Sequence, residues 1–136
     1  MIPRPRISDL KSYKTHFWTL RLKKNGKRLR FALVVFPTRK ELRTVCHDLS
    51  QKEGLDSLWG FVVGPMRDHR HNGRKLTAVV HLFKDGCRAA IIVHELGHVL
   101  FRAIQTKGMT EELACELLER CYHEISKMMW KWGIWK

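Results

Sequence analysis

A segment two-thirds of the way along the chain sets the tightest limit on the folds that its 136 residues can adopt. Residues 91–100 read Ile-Ile-Val-His-Glu-Leu-Gly-His-Val-Leu, and their apolar members recur at helical intervals. Residues four apart lie about 40° from each other around an α-helix, so His94 and His98 share one side. The opposite, apolar side must face a core. That apolar side of the predicted helix comprises Ile92, Val93, Leu96, Val99, Leu100 and Ala103.

The two histidines and the glutamate beside them suit a catalytic zinc ion. Zinc in such sites has three protein ligands and one open position, where the pKa of water falls to about 7. Glu95 projects about 60° around the helix from His98, where its carboxylate can take a proton from that water. The His-Glu-x-x-His spacing therefore predicts His94 and His98 as zinc ligands and Glu95 as the general base. The alternative is a core helix with two hydrogen-bonded histidines.

Gly97 lies between the ligand positions of this predicted helix. Glycine costs a helix interior about 1 kcal/mol relative to alanine. We therefore expect another part of the structure to pack closely against the helix backbone at this residue.

The predicted zinc site needs a third protein ligand, and the next predicted helix has carboxylates near its start. We expect Glu112 to be that ligand, ahead of Glu111 and then Glu116. The helix dipole also favours acidic residues in a first turn, so Glu111 and Glu112 can equally be ordinary surface charges. Because each helical residue adds about 1.5 Å, the first helix must end near Arg102, or Glu116 takes the role.

The remaining patterns predict one α+β domain over residues 1–136, with the order β-β-α-β-β-α-α. Apolar runs predict strands over residues 16–22, 28–36, 59–63 and 75–83. Helices are predicted over residues 39–53, from about 88 past His98, and from about 110 to 130, with Thr38 capping the first. We expect a small, mostly antiparallel sheet with helices on one face, and a flexible polar loop over residues 67–74.

The net charge of +13 is concentrated in the N-terminal third of the chain. Residues 1–43 contain 13 Lys and Arg but two acidic residues, Asp9 and Glu41, whereas residues 89–136 contain six of each kind. A basic region like this attracts nucleic acid or an acidic protein by sequence-independent electrostatics. It can equally be an ordinary solvated surface.

Neither a signal-peptide pattern nor a membrane-spanning apolar run is found, so we expect a soluble, cytoplasmic protein. The four cysteines form no Cys-x-x-Cys pair and lie in or beside apolar segments, which favours reduced thiols. They are Cys46, Cys87, Cys115 and Cys121. The tryptophans of residues 128–136 are expected to fold onto the core rather than to serve base stacking or a membrane surface.

Residues 91–122 resemble the gluzincin branch of the zincin metallopeptidases, and in particular small phage-encoded members. In these proteins His-Glu-x-x-His is followed at short range by Glu-x-x-Ala/Cys, which here reads Glu112-Leu113-Ala114-Cys115. The resemblance implies a zincin-like fold with a backing helix, an active-site helix and a C-terminal helix. It also implies Glu95 as general base and a zinc-ligand set of His94, His98 and Glu112. If Ala114 fills the Ala/Cys position, the ligand is Glu111 instead.

The resemblance further implies peptide hydrolysis. Zinc would polarise the scissile carbonyl, while Glu95 takes a proton from the attacking water and passes it to the leaving amine. An extended peptide or protein substrate would pair with an edge strand, for which residues 75–83 are the candidate. The alternative function is a non-catalytic protein with structural zinc that binds nucleic acid or an acidic partner through its basic third.

Overall fold

The computed structural model describes residues 13–21, 28–50, 59–63, 66–71, 74–107 and 110–136. Its strands are β1 (Lys14–Arg21), β2 (Arg28–Phe36), β3 (Gly60–Val63), β4 (Met66–His71), β5 (Arg74–Leu76) and β6 (Ala78–Phe83). Its helices are α1 (Arg39–Ser50), α2 (Ala89–Lys107) and α3 (Glu111–Lys131), with a short 3-10 turn at Lys84–Gly86. Within these ranges no helix has the length and apolar character needed to cross a membrane. The predicted α+β class is confirmed.

Four strands form one mixed sheet in the order β1-β2-β6-β3. β1 pairs with β2, and β3 with β6, in antiparallel directions, whereas β2 and β6 are parallel. A parallel pair needs a long crossover connection, and α1, β3, β4 and β5 all lie between β2 and β6 in the chain. Within the described ranges, β2 and β6 are therefore central and β1 and β3 are edge strands.

Helices cover both faces of this sheet, so the expectation of helices on one face is wrong. Along β2, Phe31 and Leu33 belong to the core that includes α2 and α3, whereas Ala32 and Val34 pack with Leu42 of α1. A strand that buries both sets of alternate side chains needs a layer on each side. The nearly continuous apolar run of β2 is the sequence counterpart of this double burial.

Part of the stretch predicted as a flexible polar loop is paired backbone: Arg70 pairs with Lys75 and His71 with Arg74, while residues 72 and 73 lie outside the described residues. β4 and β5 form a second, two-stranded antiparallel sheet. The predicted strand over residues 75–83 is divided at Thr77 between β5 and β6. The Thr77 amide donates to the Arg30 carbonyl at 2.7 Å, and its hydroxyl accepts from the Arg30 amide at 3.3 Å. The polar residues 67–74 show no alternation of apolar and polar side chains from which strand pairing could be predicted.

Two threonines begin helices, and for Thr38 this confirms the predicted cap. Thr38 Oγ1 accepts from the Glu41 amide at 3.3 Å, at the start of α1. Thr110 Oγ1 accepts from the Leu113 amide at 3.4 Å, at the start of α3. Each bond satisfies one of the amide groups that a helix start leaves without an intrahelical partner.

The C-terminal residues turn back onto the core after α3. Gly133 has a φ of 70°, a conformation in which L side chains are strained, and it lies just beyond the helix end. Trp135 Nε1 then donates to the Cys87 carbonyl at 2.6 Å, which joins the chain end to the start of α2. The predicted packing of the tail tryptophans is confirmed for Trp132 and Trp135, whereas Trp130 remains 59% exposed.

Candidate metal centre

α2 directs His94 and His98 to solvent and Glu95 to the core. The two imidazole rings have centroids 4.9 Å apart and planes 85° apart. Both histidines are exposed, whereas Glu95 is 4% exposed. One ligand atom from each of the three residues lies within 4.8 Å of the other two. Among the described residues, this is the one group of three or more such side chains that could hold a metal ion.

The spacing of these atoms is compatible with a shared metal ion. Two nitrogen ligands of one tetrahedral zinc ion lie about 3.4 Å apart, because each Zn–N bond is about 2.0–2.1 Å long. The donor atoms of His94, Glu95 and His98 lie within 4.8 Å of one another, a separation close to that spacing. Imidazole and carboxylate also suit other divalent transition metals, so the donor set supports a metal ion without selecting zinc.

Glu95 lies between α2 and the edge strand β3. A β-carbon at Gly60 would be 3.1 Å from Glu95 Cγ, closer than ordinary van der Waals contact. Gly60 is buried and pairs with Leu82 of β6, so its position is fixed by the sheet. The sheet therefore helps to position the carboxylate, while the flanking histidines extend from the same helix into solvent.

The apolar side of α2 is narrower than predicted. Of the residues predicted for that side, Ile92, Leu96 and Val99 are buried, Leu100 is half-buried and Val93 is 46% exposed, while the side chain of Ala103 lies outside the described residues. Phe101, which was not predicted to face the core, is 63% exposed. Gly97 is also exposed, and a β-carbon there would meet no atom within 4 Å. The expectation of close packing against Gly97 is therefore wrong. Open, partly apolar surface lies next to the two histidines instead.

α3 contributes no side chain to the group in the described structure. Glu111 and Glu112 are exposed in the first turn of α3. Glu116 is half-buried, and its carboxylate lies 3.7 Å from the guanidinium of Arg120. The His-Glu-x-x-His residues are thus brought together, and the third protein ligand stays a prediction.

The length of α2 bears on that prediction. Glu112 can be the ligand only if the helix ends near Arg102, but α2 continues to Lys107. From His98 to Lys107 the helix axis extends about 13 Å before the chain can turn back. The condition attached to Glu112 is therefore not met. The same reasoning favours Glu116, which lies one turn further along α3.

The edge strand beside this group is β3, and not the predicted segment 75–83. β6, which contains most of that segment, pairs with β2 on one side and with β3 on the other. Among the described strands β3 pairs with β6 alone. Strand order within a sheet depends on pairing between distant segments, and the short run at 59–63 carries no local sign of its edge position.

Sequence patterns likewise did not single out Arg39, Trp59 and Arg88, which meet at the start of β3.

The described cysteines do not belong to the group. Cys87, Cys115 and Cys121 are free, which confirms the expected reduced state for these three. The side chain of Cys46 lies outside the described residues. Burial, with Asp85 nearby, raises the pKa of Cys87 to about 12. Burial also raises the pKa of Cys121 to about 12.

Comparison with protein-family models, with curated proteins and with solved structures finds no match. The proposed function therefore rests on the geometry of His94, Glu95 and His98.

Proposed function

We propose that this protein is a zinc-dependent metallopeptidase in which His94 and His98 bind the ion and Glu95 is the general base. The observation that carries the proposal is the position of Glu95. Its buried side chain has a carboxylate oxygen within 4.8 Å of a ring nitrogen of each exposed histidine, and its Cγ packs against Gly60, the first residue of an edge strand. A proton acceptor, metal ligands and a strand available for substrate pairing thus adjoin one another.

Each part of this arrangement has a role in peptide hydrolysis. His94 and His98 would hold a zinc ion, which would supply a Lewis acid and lower the pKa of bound water. Glu95 accepts the proton of the water that attacks the scissile carbonyl and donates it to the leaving amine. Burial against Gly60 limits the positions of the carboxylate, which favours a productive geometry. The outer edge of β3 offers backbone groups to an extended substrate.

The third ligand in this proposal comes from α3. Glu116 is preferred because α2 continues to Lys107, and Glu112 and Glu111 follow it in order. A carboxylate would complete a His, His, Glu ligand set and leave one position open for substrate or water.

Glu95→Gln tests the proposal, because the amide keeps the size of the side chain but cannot act as the base. The variant should keep its fold and the zinc content of the wild type. Cleavage of denatured casein should fall by about 10²–10⁴-fold, the usual contribution of general acid–base catalysis. Glu119→Gln is the matched control, since Glu119 is an exposed glutamate of α3. Equal cleavage by Glu95→Gln and wild-type protein would exclude Glu95 as the base.

A cluster of arginines favours a second candidate function, the binding of an acidic partner. Arg21 and Arg28 are directly opposite each other in the β1–β2 register, where like charges repel. Arg120 Nη1 donates to the Arg21 carbonyl at 3.3 Å, although the Glu116 carboxylate, 3.7 Å away, offsets part of the charge of this third guanidinium. An acidic ligand would relieve this repulsion. This function predicts that the affinity for a DNA oligonucleotide falls steeply as the salt concentration rises, and that the fall is less steep in Arg28→Gln. Binding that does not depend on salt would oppose it.

A further inference from the structure

The end of α3 and the residues that follow it form a surface on which tryptophans and lysines lie side by side. Trp130 is 59% exposed, and its indole contacts that of Trp135 edge to face, with ring centroids 5.9 Å apart and planes 84° apart. Because a helix turns about 100° per residue, Lys127, Trp130 and Lys131 lie within about 100° of one another around α3. An accessible indole is thus flanked by two lysines of the same helix.

The charge of this surface is positive. Residues 123–136 contain three lysines but one acidic residue, Glu124. The Glu124 carboxylate already accepts a hydrogen bond from Lys127 at 3.4 Å. Lys131 and Lys136 are exposed and belong to none of the ion pairs found among the described residues. Their charges are therefore available to an anionic ligand.

A further lysine reaches this surface from β1. Lys14 Nζ lies 6.0 Å from the ring centroid of Trp132 and donates to the Trp132 carbonyl at 3.4 Å. Lys14 is exposed and, like Lys131, forms no ion pair with a described residue. Glu124 offsets one of the four lysine charges, and the others attract anions. The α3-end surface is formed by Lys14, Lys127, Trp130, Lys131 and Lys136.

Hydrogen bonds hold the tryptophans of this surface in place. The Gly133 amide donates to the Trp130 carbonyl at 3.1 Å, and the Trp135 amide donates to the Met129 carbonyl at 3.1 Å. Trp135 Nε1 is bonded to the Cys87 carbonyl. The Trp130 indole therefore rests against a fixed neighbour, so little conformational entropy is lost when a ligand covers it.

The charge and the apolar groups of the α3-end surface fit single-stranded nucleic acid better than a second copy of the chain or a membrane. In a two-fold contact this surface would meet itself, and lysines would face lysines. A helix that lies in a membrane surface inserts its whole apolar side, whereas α3 buries Leu117, Cys121 and Ile125 in the core. A single strand offers a planar base to an indole and phosphates to lysines.

We propose that the α3-end surface binds single-stranded nucleic acid. One unpaired base stacks on the exposed indole of Trp130, and Lys131, Lys14 and Lys136 bind neighbouring phosphates. The bases of a duplex are stacked on one another, so a duplex reaches the lysines but leaves the indole uncovered. The site uses no residue of the proposed metal centre, and it holds or fails independently of the peptidase function.

Fluorescence anisotropy of a labelled oligothymidylate of about ten nucleotides measures binding to the full chain. Trp130→Ala should weaken binding at least about fivefold, the loss of one stacked base, and Trp130→Phe should lose less because it keeps an aromatic ring. Lys131→Gln should lower the slope of log affinity against log salt concentration by about 0.7, the value for one phosphate of a single strand. Duplex DNA of the same length should bind Trp130→Ala and wild-type protein equally.

Phe101→Ala and Lys40→Gln are the matched controls, because both residues are exposed and lie elsewhere. Phe101 is about 18 Å along α2 from the end near Cys87, which Trp135 contacts. Lys40 belongs to α1, on the other face of the sheet. Both variants should bind oligothymidylate as the wild type does.

Three results would overturn the inference. The first is equal affinity of Trp130→Ala and wild-type protein for oligothymidylate, even if Arg28→Gln binds more weakly, because the nucleic acid would then bind at the arginine cluster. The second is an equal loss for single-stranded and duplex DNA, since lost stacking affects the single strand alone. The third is binding to phosphatidylserine vesicles that requires Trp130 when oligothymidylate binding does not, which would identify a membrane surface.

Discussion

Gly60 and Glu95 are in contact across the junction of β3 and α2. A β-carbon on residue 60 would lie 3.1 Å from Cγ of Glu95, and equally close to the carbonyl oxygen of His81 and to Leu82 Cδ2. The sheet therefore restricts the space in which the proposed base can lie. A change at residue 60 should alter catalysis while the histidines remain intact.

Gly60→Ala tests this restriction. The added methyl group must displace Glu95 or the adjoining strand by a few tenths of an ångström, because it has no open direction. Cleavage should fall at least about tenfold, and the free energy of unfolding by about 1–3 kcal/mol, while the zinc content stays unchanged.

Gly97→Ala is the matched control, since a β-carbon there meets nothing within 4 Å. It should keep the zinc content and raise the free energy of unfolding by about 0.5–1 kcal/mol. Urea unfolding and elemental analysis provide both measurements. Cleavage that is unaffected in Gly60→Ala would show that the contact does not position the base.

Local signals predicted the parts of this fold that depend on neighbours in the chain. Thr38 begins α1, the apolar run at 28–36 is β2, and the helical periodicity around His94 is α2. The chemistry of His94, Glu95 and His98 was visible for the same reason, because the three residues lie within one helical turn and a half.

Features that depend on distant segments were not predicted. The position of β3 at the edge follows from its pairing with β6, some twenty residues later in the chain. Arg39, Trp59 and Arg88 meet because α1, β3 and the start of α2 converge. The burial of β2 on both faces was visible in its composition, yet which helix covers each face depends on the crossover between β2 and β6.

Substitution of the glutamates at the start of α3 should identify the third ligand. Glu116→Gln is expected to weaken zinc binding at least about tenfold, because it would remove one of three protein ligands. Glu112→Gln and Glu111→Gln should bind zinc as the wild type does. Competition with a chromogenic chelator measures all three variants. Wild-type affinity in every one of them would exclude a ligand from this part of α3.

Thiol alkylation should distinguish the described cysteines. Iodoacetamide reacts with thiolates, and burial raises the pKa of Cys87 and Cys121 to about 12, so both stay protonated near neutral pH. Cys115 is exposed and should be labelled in the native protein. Peptide mass spectrometry after brief native labelling should find modified Cys115 and unmodified Cys87 and Cys121. Labelling of either buried residue at the rate of Cys115 would contradict the described packing.

The hydrogen bond between His16 and Glu124 joins β1 to α3 and should make stability depend on pH. Burial raises the pKa of Glu124, but hydrogen bonds from His16 at 3.0 Å and Lys127 at 3.4 Å outweigh it and lower the pKa below its ordinary value. A lowered folded-state pKa contributes stability above the unfolded-state pKa, and this contribution is lost as the pH falls through the folded-state value.

Glu124→Gln should therefore reduce the free energy of unfolding at pH 7 by about 0.2–1 kcal/mol, the range for partly exposed pairs. The difference from the wild type should shrink as the pH falls through the lowered folded-state pKa of Glu124, below which the carboxylate is protonated in both states. Urea unfolding of both proteins at a series of pH values from 7 downwards measures this difference in the free energy of unfolding. A constant difference at all pH values would show that the pair contributes through packing rather than through charge.

Zinc content is the most direct test of the metal centre. Elemental analysis of protein never exposed to a chelator should find one zinc ion per monomeric chain, and His94→Ala and His98→Ala should each lose it. Both histidines are exposed, so the metal-free variants should unfold at the same urea concentration as metal-free wild-type protein. No bound zinc in the wild type would contradict the proposed metal centre, as would one zinc ion shared by the histidines of two chains.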